Sequence, residues 1–205
     1  MTIPGPRRVA RVLHTFTEAS SLPRDHAGWT ETEAVKNKAQ KWFLEALKQR
    51  KSRLPFPPLG IDSDNGGEFI NHRLVRYCRK EKITFTRSRA SQKNDNYYVE
   101  QKNWTVVRQK VGYLRYDTEE ELILLNQLYP LLRLYTNFFQ PMIKLISKER
   151  VKSKVKKQYD EPKTPLMRVQ APPSIDESIK KSRQDQHKEL NPADLKRQWL
   201  KSRTN

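Results

Sequence analysis

Apolar positions recur along this chain with two periods, and the switches between them mark most of its elements. From residue 33 to 51, Val35, Ala39, Trp42, Phe43, Ala46 and Leu47 return at helical spacing with lysines between them, which predicts an amphipathic helix. Leu54-Pro55-Phe56-Pro57-Pro58 ends it, because proline cannot continue the hydrogen-bond ladder. Leu59-Gly60-Ile61-Asp62-Ser63-Asp64 is apolar at its start and runs into the turn residues Asn65-Gly66-Gly67, so it reads as a buried strand. Asn71 to Lys80 carries Leu74, Val75 and Cys78 on one face, a short helix, and Ile83-Thr84-Phe85-Thr86 alternates as a strand does. Residues 88–96 are a polar loop, residues 96–111 are helical again, and residues 118–139 form a last long helix. Asp117 or Thr118 caps that helix, with Glu119 to Glu121 at its positive end. Pro130 falls inside it and is expected to kink it or split it in two.

The two ends of the chain are less regular. Val9 to Phe16 reads as one strand and Gly28 to Glu33 as the end of another, with Ser20-Ser21-Leu22-Pro23 breaking the pattern between them. From residue 33 the order helix, strand, helix, strand, helix, helix argues an α/β fold with some parallel strands. After Pro141 the composition changes. Residues 144–157 hold seven cations and one anion, a net of +6, and read as a phosphate-binding run or a disordered tail. Pro162, Pro165, Pro172 and Pro173 mark residues 160–175 as an extended linker, followed by weak helices at 176–188 and 192–202. The expected organisation is a core over residues 1–143 and a basic, partly disordered tail over 144–205.

Charge narrows the function. Lys and Arg number 41 against 23 Asp and Glu, a net charge of +18. Such a balance implies a polyanionic partner, since clustered cations release counterions from nucleic-acid phosphates. The lone cysteine, Cys78, can make neither an internal disulfide nor a Cys-based zinc site, and on an apolar helix face it reads as core filler. No apolar run is long enough to span a membrane, and Arg7 and Arg8 are not followed by a signal-like apolar stretch. The expected location is the cytoplasm of a bacterium, at the nucleoid.

Two carboxylates stand out. Asp64 sits just past a strand, and Glu100 lies on the helix that follows the next strand, thirty-five residues between them. Carboxylates from a strand end and a neighbouring helix can converge on a hard divalent cation. Two such ions, roughly 3.5–4 Å apart, clamp the attacking and leaving oxygens of a phosphoryl transfer. Glu100 shares its helical face with Tyr97, Trp104, Val107 and Val111, an apolar stripe in which a carboxylate is costly unless it meets a metal or an arginine. Asp62 is the rival of Asp64, two residues earlier on the same face of the strand.

Asp64-Asn65-Gly66-Gly67-Glu68-Phe69, followed by Val99-Glu100-Gln101-Lys102-Asn103, resembles the second and third members of the Asp-Asp-Glu triad of retroviral-type integrases and bacterial insertion-sequence transposases. The stretch from Gly60 to Lys144 is similar throughout to integrase-core proteins of bacterial mobile elements, and Trp29 to Leu47 more weakly so. The resemblance implies a ribonuclease-H-like fold and a DNA-cutting and joining activity with Mg2+ or Mn2+ held by Asp64 and Glu100. It also implies DNA contacts from Lys93, Asn94, Lys102 and Asn103, within a basic and amide-rich rim that includes Arg87, Arg89, Gln92 and Asn96. The partners expected are DNA and further copies of the chain, with no membrane and no small-molecule substrate. The family pattern breaks at its first Asp, which rides on the opening strand of a three-stranded antiparallel unit. Asp25 is the only Asp before Asp62, and it stands too close to the first helix to hold that place. The opening strand is therefore expected to be missing, as in a truncated copy, and nothing in the spacing of His14, Glu18 or Glu31 makes them substitutes. A non-catalytic DNA-binding remnant with the same fold is the alternative. Neither a helix-turn-helix nor a zinc finger is evident.

Overall fold

The structure is a computed structural model that describes residues 11–14, 16–18, 27–35, 40–58, 60–63, 72–87, 109–112 and 118–204. Strands β1 (Arg11–His14), β2 (Phe16–Glu18) and β3 (Thr32–Val35) are followed by helix α1 (Gln40–Arg53), strand β4 (Gly60–Ser63), helix α2 (His72–Lys80) and strand β5 (Thr84–Arg87). Next come α3 (Gln109–Val111), the long α4 (Glu119–Phe139), the hairpin β6 (Leu145–Val151) and β7 (Lys154–Tyr159), and helices α5 (Pro165–Gln170), α6 (Glu177–Glu189) and α7 (Pro192–Thr204). β1 pairs antiparallel with β3, β2 pairs antiparallel with β4, and β4 pairs parallel with β5. The architecture is mixed α/β with small sheets, and α2 makes the crossover between the parallel strands.

The alternation of β3 places helices on both of its faces. Val35 joins Ala46, Leu47, Ile61, Leu74, Cys78 and Ile83, which come from α1, β4, α2 and the lead into β5. Its neighbour Ala34 joins Leu125, Leu128, Tyr129, Leu132 and Trp199, which come from α4 and α7. Successive side chains of a strand point to opposite faces, so a strand flanked by helices must be apolar on both. The helix expected from residue 33 is described from Gln40 on, and Val35 belongs to the strand. The spacing Val35 to Ala39 is helical, but Thr32-Glu33-Ala34-Val35 pairs with β1 and is buried on both sides.

The edge of β3 away from β1 is closed by two side-chain amides of α4. Asn137 accepts from the Thr30 N–H and donates to the Thr30 carbonyl, both at 2.8 Å. Asn126 accepts from the Ala34 N–H at 3.0 Å and donates to the Ala34 carbonyl at 3.2 Å. The spans agree. Eleven residues of helix rise about 16 Å, and four residues of strand cover about 13 Å. Pro130 lies between the two asparagines on the exposed side of one unbroken helix, so the expected split does not occur. Packing decides this: Leu125, Leu128 and Tyr129 before the proline and Leu132, Thr136 and Phe138 after it are all buried. Proline in a helix interior costs about 3 kcal/mol, less than the burial of several such side chains contributes. Thr118 is the N-cap, in a reciprocal box with Glu121.

The C-terminal third corrects three expectations. Residues 145–159 form a hairpin, turned at Lys152 with φ of +56°, where a disordered tail was one reading. Residues 165–170 are helical within the expected linker, with Pro165 at the helix start, where its missing N–H goes unused, and Thr164 as cap. Nor is 144–205 a separate tail. Val169 and Ile175 pack on Ala27 and Phe56, and Trp199 packs on α4. The weak helices expected at 176–188 and 192–202 are present as Glu177–Glu189 and Pro192–Thr204.

Asn137 is fully buried and Asn126 sits at the exposed end of the same edge. Asn137→Ala strands a buried donor and acceptor of Thr30 and is expected to cost on the order of 3 kcal/mol in urea unfolding, with Asn126→Ala costing less. An equal or reversed order would overturn the edge-closing role.

Candidate nucleic-acid interface

β4 and β5 run parallel, in a register that sets Ile61 beside Phe85 and Ser63 beside Arg87. Both therefore end at the same edge of the sheet. The carboxyl ends of parallel strands are where α/β proteins place ligands, because the loops that leave there share one side. Asp64 is the next residue after β4, and the segment bearing Lys93, Asn94, Glu100, Lys102 and Asn103 follows β5 and precedes α3. Those six residues lie outside the described residues. The helix expected over 96–111 is described only at Gln109–Val111.

The strand on the other side of β4 is antiparallel, with Phe16 opposite Asp62 and Glu18 opposite Gly60. Glu18 is thus at the far end from Asp64, some four residues or about 13 Å back along the strand. His14 belongs to the other sheet, at the end of β1 opposite Thr32. Among the described residues no group of three or more His, Cys, Asp or Glu side chains is placed to hold a metal.

Glu31, weighed above as a substitute ligand, has a different role. It is 5% exposed, and its carboxylate meets Arg53 Nε at 3.1 Å and Arg133 Nη1 at 3.4 Å and accepts from the Trp29 indole at 3.0 Å. Glu33 takes the second arm of Arg53 at 2.7 Å. Arg183 of α6 lies over the Trp29 ring and donates to the Arg53 carbonyl at 2.9 Å. Arg50 is buried beside this group, and burial lowers its guanidinium to about 10 against the pull of Glu33 and Glu31, so it stays charged at neutral pH. Two carboxylates hold α1 and α4 to the β3 segment through guanidinium groups, and α6 joins them through Arg183 on Trp29 and the Arg53 carbonyl. Apolar periodicity cannot reveal such a group. The signals available were the alternation of Glu31 and Glu33 and the helical spacing of Arg50 and Arg53. A cavity of about 20 Å³ beside it, bordered by Trp29, Glu31, Arg50, Ile61 and Tyr77, has room for about one water. Cys78 is core filler, as expected, and burial pushes its thiol up.

The basic run at 144–157 is carried on the hairpin, whose residues are exposed along almost their whole length. Its root is tied down. Arg168 of α5, itself mostly buried, meets Asp160 at 2.6 Å and donates to the Met142 carbonyl at 2.9 Å. Met142 pairs with Lys163 through two backbone hydrogen bonds and presses against Gly28, whose φ of +72° and lack of a side chain leave the space. The hydrogen bond from Arg168 holds the Asp160 carboxyl below its ordinary value. A depressed carboxyl contributes its stability above the unfolded value and loses it as pH falls through the folded one, so the root is fully held at neutral pH.

The sequence is 40% identical over 177 residues to an uncharacterized protein, y4rM, of Sinorhizobium fredii (strain NBRC 101917 / NGR234), a match that takes in 83% of this chain and 51% of the relative. The chain thus spans about half the length of that relative. No family model matches the sequence. Among the described residues no helix is long and apolar enough to cross a membrane.

The Glu31 group yields a prediction. Glu31→Gln leaves the half-buried guanidinium groups of Arg53 and Arg133 short of a counter-charge and is expected to cost about 2 kcal/mol, seen as a fall in Tm of roughly 4–8 °C. Added Mg2+ should leave the native Tm contribution of this residue unchanged. A variant whose loss of stability appears only when Mg2+ is present would make Glu31 a metal ligand after all.

Proposed function

We propose that this chain is a DNA-handling protein of the integrase and transposase type, with a ribonuclease-H-like core whose contribution is DNA binding and whose own strand-transfer activity is weak or absent. The observation that carries the reading is the parallel pairing of β4 and β5. It starts the Asp64 segment and the Glu100 segment from one edge of the sheet, where the sequence motif requires both carboxylates. The crossover through α2 and the helices on both faces of the small sheet agree with such a core. The net charge of +18 supplies the electrostatic term for a polyanion.

Asp64 and Glu100 are the residues that would hold Mg2+ or Mn2+, and those ions would polarise the phosphoryl oxygens when bound. Lys93, Asn94, Lys102 and Asn103 would hold the backbone phosphates beside them. The weak point is the third carboxylate. Glu31 is engaged by Arg53 and Arg133, and Glu18 is paired with Gly60 at the wrong end of the strand. His14 is paired with Thr32 in the other sheet, and an imidazole is a poor replacement for an oxygen ligand of magnesium. A two-carboxylate set leaves the attacking oxygen poorly held, so binding outlasts chemistry.

Two assays test this. Binding of a labelled DNA duplex across a salt series should weaken steeply, with the logarithm of affinity falling linearly against that of salt. Strand joining into a supercoiled target should stay at the background of an Asp64→Asn control with Mg2+ and with Mn2+. Salt-independent binding refutes the DNA reading. Robust joining abolished in the control refutes the claim of inactivity and shows that a third ligand completes the site.

A further inference from the structure

The β6–β7 hairpin is an unusual object for a protein to carry on its surface. A two-stranded hairpin is marginal in water unless something packs on it, and here the two strands pack chiefly on each other. Its pairing also opposes like charges. Lys148 stands directly across from Lys157, in the position where two cations repel most. Arg150 follows on the same face, opposite Val155, and Tyr159 lies two residues beyond Lys157. That face holds three cations and no anion. The reverse face holds Lys154 and Lys156 with Glu149 and the Ser147 to Gln158 hydrogen bond at 3.3 Å. Among the described residues no ion pair involves Lys148, Arg150 or Lys157. The one-sided charge is held on a fixed root: Arg168 on Asp160, Met142 on Gly28 and the Met142–Lys163 bridge.

We propose that this hairpin is a DNA-contacting β-ribbon, with the Lys148–Arg150–Lys157 face set against duplex phosphates at the major groove. The inference rests on the reading of DNA as the partner and adds where and how the duplex is held. Charge complementarity selects the occupant. A face with three cations and no anion is repulsive alone and becomes favourable beside a polyanion. Geometry selects the form. The major groove of B-form DNA is about 12 Å wide and admits a two-stranded ribbon. Six or seven residues of strand reach about 20 Å along it. The major groove of A-form RNA is too narrow and deep for the same insertion. The exposed side chains of Val155, across from Arg150, and Tyr159, beyond Lys157, supply apolar contact to sugars and base edges.

The test uses the full chain and a labelled 20-base-pair DNA duplex, with an RNA duplex of the same sequence beside it. Lys148→Gln, Arg150→Gln and Lys157→Gln together should make the salt dependence shallower by about 2–3 in the log–log slope and weaken binding roughly tenfold or more near 0.1 M salt. The same variant relieves the cross-strand repulsion, so its Tm should hold or rise. Lys154→Gln with Lys156→Gln, on the reverse face, should change the slope by clearly less per charge. Lys148→Arg with Lys157→Arg should retain the native slope, which a loss of folding in the triple variant could not imitate. DNA should be preferred to RNA duplex, and the preference should shrink in the triple variant. An unchanged slope in the triple variant of a chain that still binds DNA overturns the ribbon and leaves the DNA reading standing on the 88–108 segment. Absence of DNA binding by the native chain overturns both. Equal effects from the two faces, failure of the arginine variant to retain the slope, or equal binding of RNA duplex overturns the groove assignment.

Discussion

The edge of β3 is the constraint on which the rest depends. Helix α4 covers that edge, and a buried edge leaves donors and acceptors that water cannot reach. Another strand would normally take them. Here two asparagines three helical turns apart do so, each amide presenting one donor and one acceptor to a single residue of the strand. The match fixes α4 along β3 to within a hydrogen-bond length, because a slide of either element breaks all four bonds together. That register brings Arg133 to Glu31 and Trp199 to Ala34. It also lets a proline sit within α4 without breaking it, since both halves are held independently.

The ionic group beneath follows from the same placement. A chain with 41 basic and 23 acidic residues has few carboxylates to place inside. Glu31 and Glu33 are buried or half-buried against arginines, where they bridge elements. Asp160 fixes the hairpin root in the same way through Arg168. Carboxylates drawn inward leave cations outward. The hairpin shows the result most plainly, with one acid among the cations of residues 144–157. Removing a partner from a buried pair is costly, so the arrangement is stable only as a set.

Periodicity made α2, β5 and α4 legible, helped by clear end signals such as Thr118 before α4 and Pro192 at the start of α7. It failed where a residue fits both periods. Val35 continues the helical pattern to Ala46 and Leu47, yet Ala34 and Val35 face two different cores, which only a strand can do. It failed again at the hairpin, where lysine takes the left-handed turn position usually marked by Gly or Asn, and where the alternation is of charge more than of apolar character. The asparagines were invisible for a different reason. Apolar spacing treats Asn126 and Asn137 as interruptions, though their spacing of eleven residues is itself helical. For the site, the motif carried Asp64 and Glu100. The parallel register of β4 and β5 places only the edge from which their segments start.

The direction of β2 bears on what that edge can do. In the integrase reading, the first carboxylate rides on a central strand beside β4 and must reach the same edge as Asp64. A strand antiparallel to β4 brings its beginning, not its end, to that edge. Here that beginning is Phe16, and the residues ahead of it are Thr15 and His14. The acid of β2, Glu18, is carried away to the level of Gly60. Moving Glu18 to the edge would need a shift of about four residues in register. An even shift keeps inward side chains inward, but it would slide β2 off most of β4, which is only four residues long. The sheet therefore cannot recruit this acid by slipping without giving up the pairing that joins β2 to the parallel strands. Under that reading, chemistry at the edge is limited by strand direction, while binding, which needs only cations on exposed and anchored elements, is not.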